Sequence, residues 1–167
     1  MVRRAPPSRE ALFALLDAVM DPEVPVLSVV ELGIIRDASA TEDGVTVTIT
    51  PTYSGCPAMH EIESEIRRAI EGEGLGPVVL RTVYAPAWTT DWMGAKARAK
   101  LEAYGIAPPG ERDGAELVPL LRRRAGIRCP HCTSMHTEQR SVFGSTACKS
   151  IWVCTECLQP FEEFKAI

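Results

Sequence analysis

Long hydrophobic runs are missing from this chain of 167 residues. None approaches the roughly 20 apolar residues that a bilayer-spanning helix needs, so no membrane association is expected. The N-terminus lacks the apolar stretch and small-residue cleavage site of a signal peptide, and a cytoplasmic location follows as the expectation. Internal repeats and low-complexity tracts are absent too. Basic charge is in short supply. The net charge is −4, with 10 basic against 15 acidic residues through residue 110 and 8 against 7 after it. An acidic main domain repels a phosphate backbone, so nucleic acid is not an expected partner. The one basic cluster, Arg122, Arg123, Arg124 and Arg128, reads as a solvated run that offsets thiolate charge. On that cluster alone rests a rival reading, a zinc-ribbon nucleic-acid adaptor.

What is present organises into two unequal domains. Ser8 can cap a helix whose Leu12, Leu15, Leu16 and Val19 follow the spacing of one buried face, ending at Asp21-Pro22. Pro22 and Pro25 make the next stretch a stiff loop, and Ser28 with Glu31 has the spacing of a capping box around a single turn closed by Gly33. Ile34-Ile35 opens a strand. Asp43-Gly44 turns the chain into Val45, Val47 and Ile49, which alternate with threonines as in a half-buried hairpin. Cys56-Pro57 opens a second helix with an apolar stripe of Ile62, Ile66, Ala69 and Ile70, stopped by glycines. Val78 to Tyr84 reads as a third strand, and a helix after Met93 ends near Gly105. The order α-β-β-α-β-α predicts a small two-layer α/β (α+β) domain over residues 8–107. A linker is expected at 108–124 and a zinc-ribbon β domain at 125–167.

Cys129-Pro130-His131-Cys132 and Cys154-Thr155-Glu156-Cys157 are two C-x-x-C knuckles at about the interval of a zinc site. A two-residue gap turns both sulfurs of a knuckle toward one point, and a hairpin from His136 to Phe143, Gly144-Ser145, and Ile151 to Val153 would bring the knuckles together. In a reducing compartment this pattern means metal more readily than disulfides. Zinc is the expected ion. Four thiolates also suit iron or an iron–sulfur cluster, with Cys148 nearby, but Thr133 and Leu158 stand where mononuclear-iron knuckles usually carry glycine. His131 and His136 read as surface residues. A closed four-sulfur zinc has no open position, so the ribbon is structural or partner-binding and not catalytic.

Cys56 is the candidate for chemistry. At a helix start its sulfur would face unpaired amides, which lower a thiol's pKa and raise its thiolate fraction, and a soft metal or cluster could bind there. The bland alternative is a helix cap or a filled pocket. His60, four residues on, could share the helix face, but no acid orients it, and no second cysteine lies three residues away for thioredoxin-like chemistry. Asp21, Glu23 and Glu31 add carboxylates to the proline loop that could orient the thiol or meet a metal.

The segment "D-P-E-V-P-V-L-S-V-V-E-L-G-I-I-R" from Asp21 to Arg36, with "T-Y-S-G-C-P-A" from Thr52 to Ala58, resembles the SufT-like family associated with iron–sulfur cluster assembly, over about residues 10–105. "P-A-W-T-T-D-W" (Pro86 to Trp92), "Y-G-I-A-P-P" (Tyr104 to Pro109) and "F-G-S-T-A-C-K" (Phe143 to Lys149) resemble one branch almost end to end: the D components of phenylacetate-degradation ring epoxidases, the phenylacetyl-CoA 1,2-epoxidases. The resemblance implies an accessory, non-enzymatic protein that assists iron–sulfur or metal maturation. Its partners would be the oxygenase subunits or the iron–sulfur reductase, with iron or a cluster held transiently. An integral, non-catalytic subunit is the other form this resemblance allows. It makes Cys56 the functional thiol and Asp21 and Glu23 its acidic loop. Members of the branch often end in a cysteine after "F-K", where this chain has Ala166 after Lys165, which argues against a ligand from the extreme C-terminus.

Overall fold

The computed structural model describes residues 5–53, 55–110 and 126–167. Arg122, Arg123, Arg124 and the expected linker from residue 111 onward lie outside the described residues. Contacts divide the chain into two compact units, Met1–Met93 and Gly94–Ile167.

In the first unit, α1 (Arg9–Leu16) starts where Ser8 accepts a hydrogen bond from the Ala11 amide at 3.2 Å, and it buries Leu12 and Leu16. It stops before the expected Asp21-Pro22. Val19 has by then given its carbonyl to the Val29 amide, and Met20 pairs with Ser28 in an isolated antiparallel bridge, so tertiary pairing takes the backbone that a longer helix would need. Asp21 Oδ1 accepts the amides of Glu23 and Val24, both at 2.8 Å, which closes the proline loop. The expected capping box is formed: the Glu31 amide donates to Ser28 Oγ at 3.0 Å and the Ser28 amide to Glu31 Oε2 at 3.1 Å. Gly33, at φ +73°, ends that turn, and a Cβ there would stand 3.0 Å from Trp92 Cβ.

β1 (Ile35–Thr41) and β2 (Gly44–Ile49) form the antiparallel hairpin, and β2 pairs in parallel with β3 (Val78–Thr82), giving the order β1-β2-β3. α2 (Ala58–Gly72) is the crossover between the parallel strands. α1 packs on β1, α2 on β3, and the helices on each other, so they form one layer against the sheet. Val45, Val47 and Ile49 point into that core, as do Ile62, Ile66 and Ile70 at four-residue spacing on α2. Full burial of one such side chain stabilises by about 1.5–3 kcal/mol. Ile66, with no exposed surface, tests the packing: Ile66→Ala should lower unfolding free energy by about 2–5 kcal/mol in urea titrations. A loss under about 1 kcal/mol would mean the site is not tightly packed.

In the second unit, α3 (Ala95–Tyr104) ends at Gly105, whose φ of +91° is left-handed. The chain then enters β4 (Ile106–Ala107), which pairs in parallel with Glu162 and Glu163 of β7 (Pro160–Phe164). β5 (Thr137–Ser141) and β6 (Lys149–Cys154) form the expected hairpin, and the sheet order is β4-β7-β6-β5. α3 and β4 therefore group with the ribbon strands, whereas periodicity alone assigns them to the first domain. A two-residue strand reveals itself only through its partner. The core holds Ala107, Cys129, Trp152, Cys154 and Phe161. Glu163, also buried, accepts from Ser150 Oγ at 2.8 Å and from the Trp152 indole at 3.0 Å. Among the described residues no helix is long and apolar enough to cross a membrane.

Candidate metal centre and the Cys56 loop

The two knuckles are built by the same six-residue device. In the first, the Cys129 amide donates to the Ser134 carbonyl and the Thr133 amide to the Cys129 carbonyl, both at 2.9 Å. In the second, the Cys154 amide donates to Gln159 at 3.1 Å and the Leu158 amide to Cys154 at 3.0 Å. Closing each loop needs a left-handed residue just past its second cysteine, and Thr133 (φ +66°) and Leu158 (φ +62°) take that conformation. Side chains with a Cβ resist it by about 1 kcal/mol. Leu158→Gly should accordingly leave zinc content unchanged and raise the ribbon's melting temperature by a few degrees, the gain tempered by the freer unfolded chain. A lower melting temperature would show that the leucine side chain itself supports the knuckle.

All four sulfurs, of Cys129, Cys132, Cys154 and Cys157, lie within 4.8 Å of one another. Cys129 Sγ is 3.8 Å from Cys157 Sγ, and Cys132 Sγ is 3.5 Å from Cys154 Sγ. A tetrahedron of thiolates about 2.3 Å from zinc has edges of roughly 3.8 Å, so the donor set fits that ion. Both short pairs run between knuckles, so an ion held there would cross-link the two halves of the ribbon. Backbone amides feed the sulfurs as well: Ser134 to Cys132, Cys157 and Glu156 to Cys154, Gln159 to Cys157. The Cys157 amide, with that of Glu156, holds the Cys154 thiol down at about 7 against desolvation. For Cys132 the Ser134 amide pulls downward, but desolvation and three neighbouring sulfurs push the thiol up to about 12. Cys157 is likewise raised, the Gln159 amide being outweighed by desolvation and the Cys154 and Cys129 sulfurs. One thiol ionises and its neighbours then resist. Four thiolates in contact need a cation among them.

His131 and His136 are exposed, as expected. The His136 ring lies 2.7 Å from Glu156 Oε1, while its carbonyl accepts the Thr155 amide at 2.8 Å and hydroxyl at 2.9 Å, tying the second knuckle to the start of β5. Cys148 is buried, with Sγ 3.0 Å from Thr146 Oγ1. β6 separates it from Cys154, a span of roughly 20 Å at about 3.3 Å per residue, so Cys148 is not part of the cluster.

Cys56 is half-buried and sits one residue before the cap of α2, which is Pro57. Its amide donates to the Tyr53 carbonyl at 3.3 Å and its carbonyl accepts from Met59 at 3.2 Å. Gly55 (φ +83°) carries the turn, and an added Cβ would meet nothing within 4 Å. Among the described residues no hydrogen bond reaches Cys56 Sγ, so the thiol does not cap the helix; none joins it to His60, Asp21 or Glu23 either. His60 is exposed, and Asp21 Oδ1 is committed to its own turn.

Residues 9–79 match the family described as iron-sulfur cluster assembly protein, and residues 114–165 match the PaaD zinc beta ribbon domain. Over 164 residues, 98% of this chain and 96% of the relative, the sequence is 44% identical to an Escherichia coli (strain K12) protein described as the D component of a 1,2-phenylacetyl-CoA epoxidase. The chain belongs to the PaaD family. Its first part is also 35% identical to an Fe-S protein maturation auxiliary factor of Porphyromonas gingivalis, over 56% of this chain and 90% of that one. A crystal structure of a domain of unknown function from Bacillus anthracis superposes with a TM-score of 0.52 at 29% identity, over 56% of this chain and 90% of that one. In this PaaD-family chain Cys56 falls inside the assembly-protein match and the four clustered cysteines inside the ribbon match. The cysteine spacing points to the ligand candidates; the amides of Ser134, Glu156 and Gln159 that serve their sulfurs have no side-chain signature and could not be found from it.

Proposed function

We propose that this protein is a cytoplasmic accessory factor that matures a phenylacetyl-CoA ring-epoxidising oxygenase without itself turning over the aromatic thioester. The observation that carries the reading is the combination in one chain: end-to-end similarity to an epoxidase D component, with a first part similar to Fe-S maturation auxiliary factors. In this reading Cys129, Cys132, Cys154 and Cys157 hold one zinc that cross-links the ribbon, and its closed coordination keeps it out of turnover. Cys56 is the functional thiol. Thiolate sulfur is a ligand for soft metals and iron–sulfur clusters, so the cargo is iron or a cluster, received and handed on transiently. Asp21 holds the loop in shape and Glu23 adds the acidic charge beside it. The clients are the oxygenase subunits or the system's iron–sulfur reductase.

The description of the E. coli relative as part of the epoxidase favours a second reading, an integral non-catalytic part of the oxygenase. Co-purification separates the two. Transient binding to apo-reductase or apo-oxygenase, lost once the client carries its metal, supports maturation. Stoichiometric retention in the active oxygenase supports the integral reading.

A further inference from the structure

The loop joining β5 to β6 combines a rigid frame with an apolar tip. Val142 and Phe143, adjacent in sequence, are 58% and 63% exposed. Burial does not explain them, yet the backbone from Val142 to Ser145 is held by hydrogen bonds. Ser141 Oγ donates to the Phe143 carbonyl at 2.7 Å and accepts its amide at 3.1 Å. The Gly144 amide donates to the Lys149 carbonyl at 2.8 Å, and the Ser145 amide to Glu162 Oε1 at 2.6 Å. Lys165 completes the frame, its ammonium 3.1 Å from the Val142 carbonyl and 4.9 Å from the centre of the Phe143 ring. A Cβ on Gly144 would stand 2.7 Å from Glu162 Oε1 and 3.1–3.2 Å from Cβ and the carbonyl carbon of Lys149, so a larger residue there would displace its neighbours.

An exposed aromatic on a pre-organised loop is the usual form of an interface anchor, because little ordering entropy remains to be lost on binding. The cation beside the ring sets the sign of the partner. We infer that Val142 and Phe143 are a docking anchor for a client protein that presents an apolar pocket rimmed by carboxylates, Lys165 meeting that rim. The inference rests on the accessory-factor reading and names the surface it uses. The anchor lies at the end of the β5–β6 hairpin away from the metal, since Thr137 pairs with Cys154 at the other end. Metal binding and client binding are thus served by opposite ends of one ribbon.

The test uses the full chain and the purified oxygenase subunits and reductase of the epoxidase system, each titrated separately by calorimetry at two salt concentrations. Wild type should bind one component. Phe143→Ser should weaken that binding at least tenfold with zinc content and melting temperature unchanged, and Lys165→Glu should weaken it and reduce its salt dependence. Tyr84→Ser, an equally exposed aromatic in the first unit, should bind as wild type. Undiminished binding by Phe143→Ser overturns the anchor and leaves the accessory reading standing. Binding of no component by wild type sinks both. A change only in self-association, seen by sedimentation of the chain alone, assigns the tip to a second copy and overturns the client.

Discussion

Replacing any one of Cys129, Cys132, Cys154 or Cys157 by serine should unfold the ribbon, with one zinc per chain lost from elemental analysis. Two of these sulfurs, Cys129 and Cys154, are fully buried members of the same small core as Trp152 and Phe161. Ligand and core are one, so the metal's binding energy is also folding energy, of the order of 10 kcal/mol for structural zinc in small domains. The first unit has its own sheet and helices, so its far-ultraviolet signal and cooperative melting should survive. Acid should mimic the substitution. The ligands bind as thiolates, so metal affinity falls as pH falls, most steeply below about 7, where Cys154 too takes up a proton in competition with the metal. Chelator at neutral pH should give the same partly folded product. A serine variant that keeps full zinc and ribbon structure would remove its cysteine from the ligand set.

Cys56→Ser and Cys56→Ala should both abolish support of growth on phenylacetate while leaving the melting temperature nearly unchanged. Hydroxyl and methyl are poor ligands for soft metals, so a transfer thiol tolerates neither. The stability half of the expectation comes from the loop. Cys56 does not cap α2, and a half-buried side chain with no bond to lose should cost within about 0.5 kcal/mol. Had the sulfur capped the helix, alanine would have been worse than serine by about 1 kcal/mol. Equal melting temperatures with lost growth support the transfer thiol; stable variants with normal growth remove Cys56 from the mechanism.

Some of this architecture was legible in the residues and some was not. The capping box at Ser28 and Glu31, the hairpin through Gly44 and the isoleucine stripe of α2 are local patterns, and each formed where its spacing placed it. The four-cysteine cluster was equally plain, because doubled C-x-x-C spacing leaves few other geometries. β7 carried no such signal. It begins with a proline and contains Glu162 and Glu163, residues that argue against an inner strand. The sheet accommodates them by bonding Glu163 to Ser150 and Trp152 and pairing Glu162 with Lys149 at 3.2 Å, partnerships visible only in three dimensions. The end of α1 is hidden from the sequence for a related reason, the pairing of Met20 with Ser28.

The place of β7 also sets an order of events during synthesis. Of the described strands it is made last, yet it lies inside its sheet, between β4 and β6. The first unit is complete once residue 93 has emerged, and N-terminal units generally fold as they appear. The ribbon sheet must wait until residues 160–164 are free, because β7 joins β4 to β6 and brings Phe161 to the core that holds Cys129 and Cys154. For that interval the thiols lack the cover of that core and are open to any soft ion or oxidant present, so the ion acquired depends on what the cell offers a newly made ribbon.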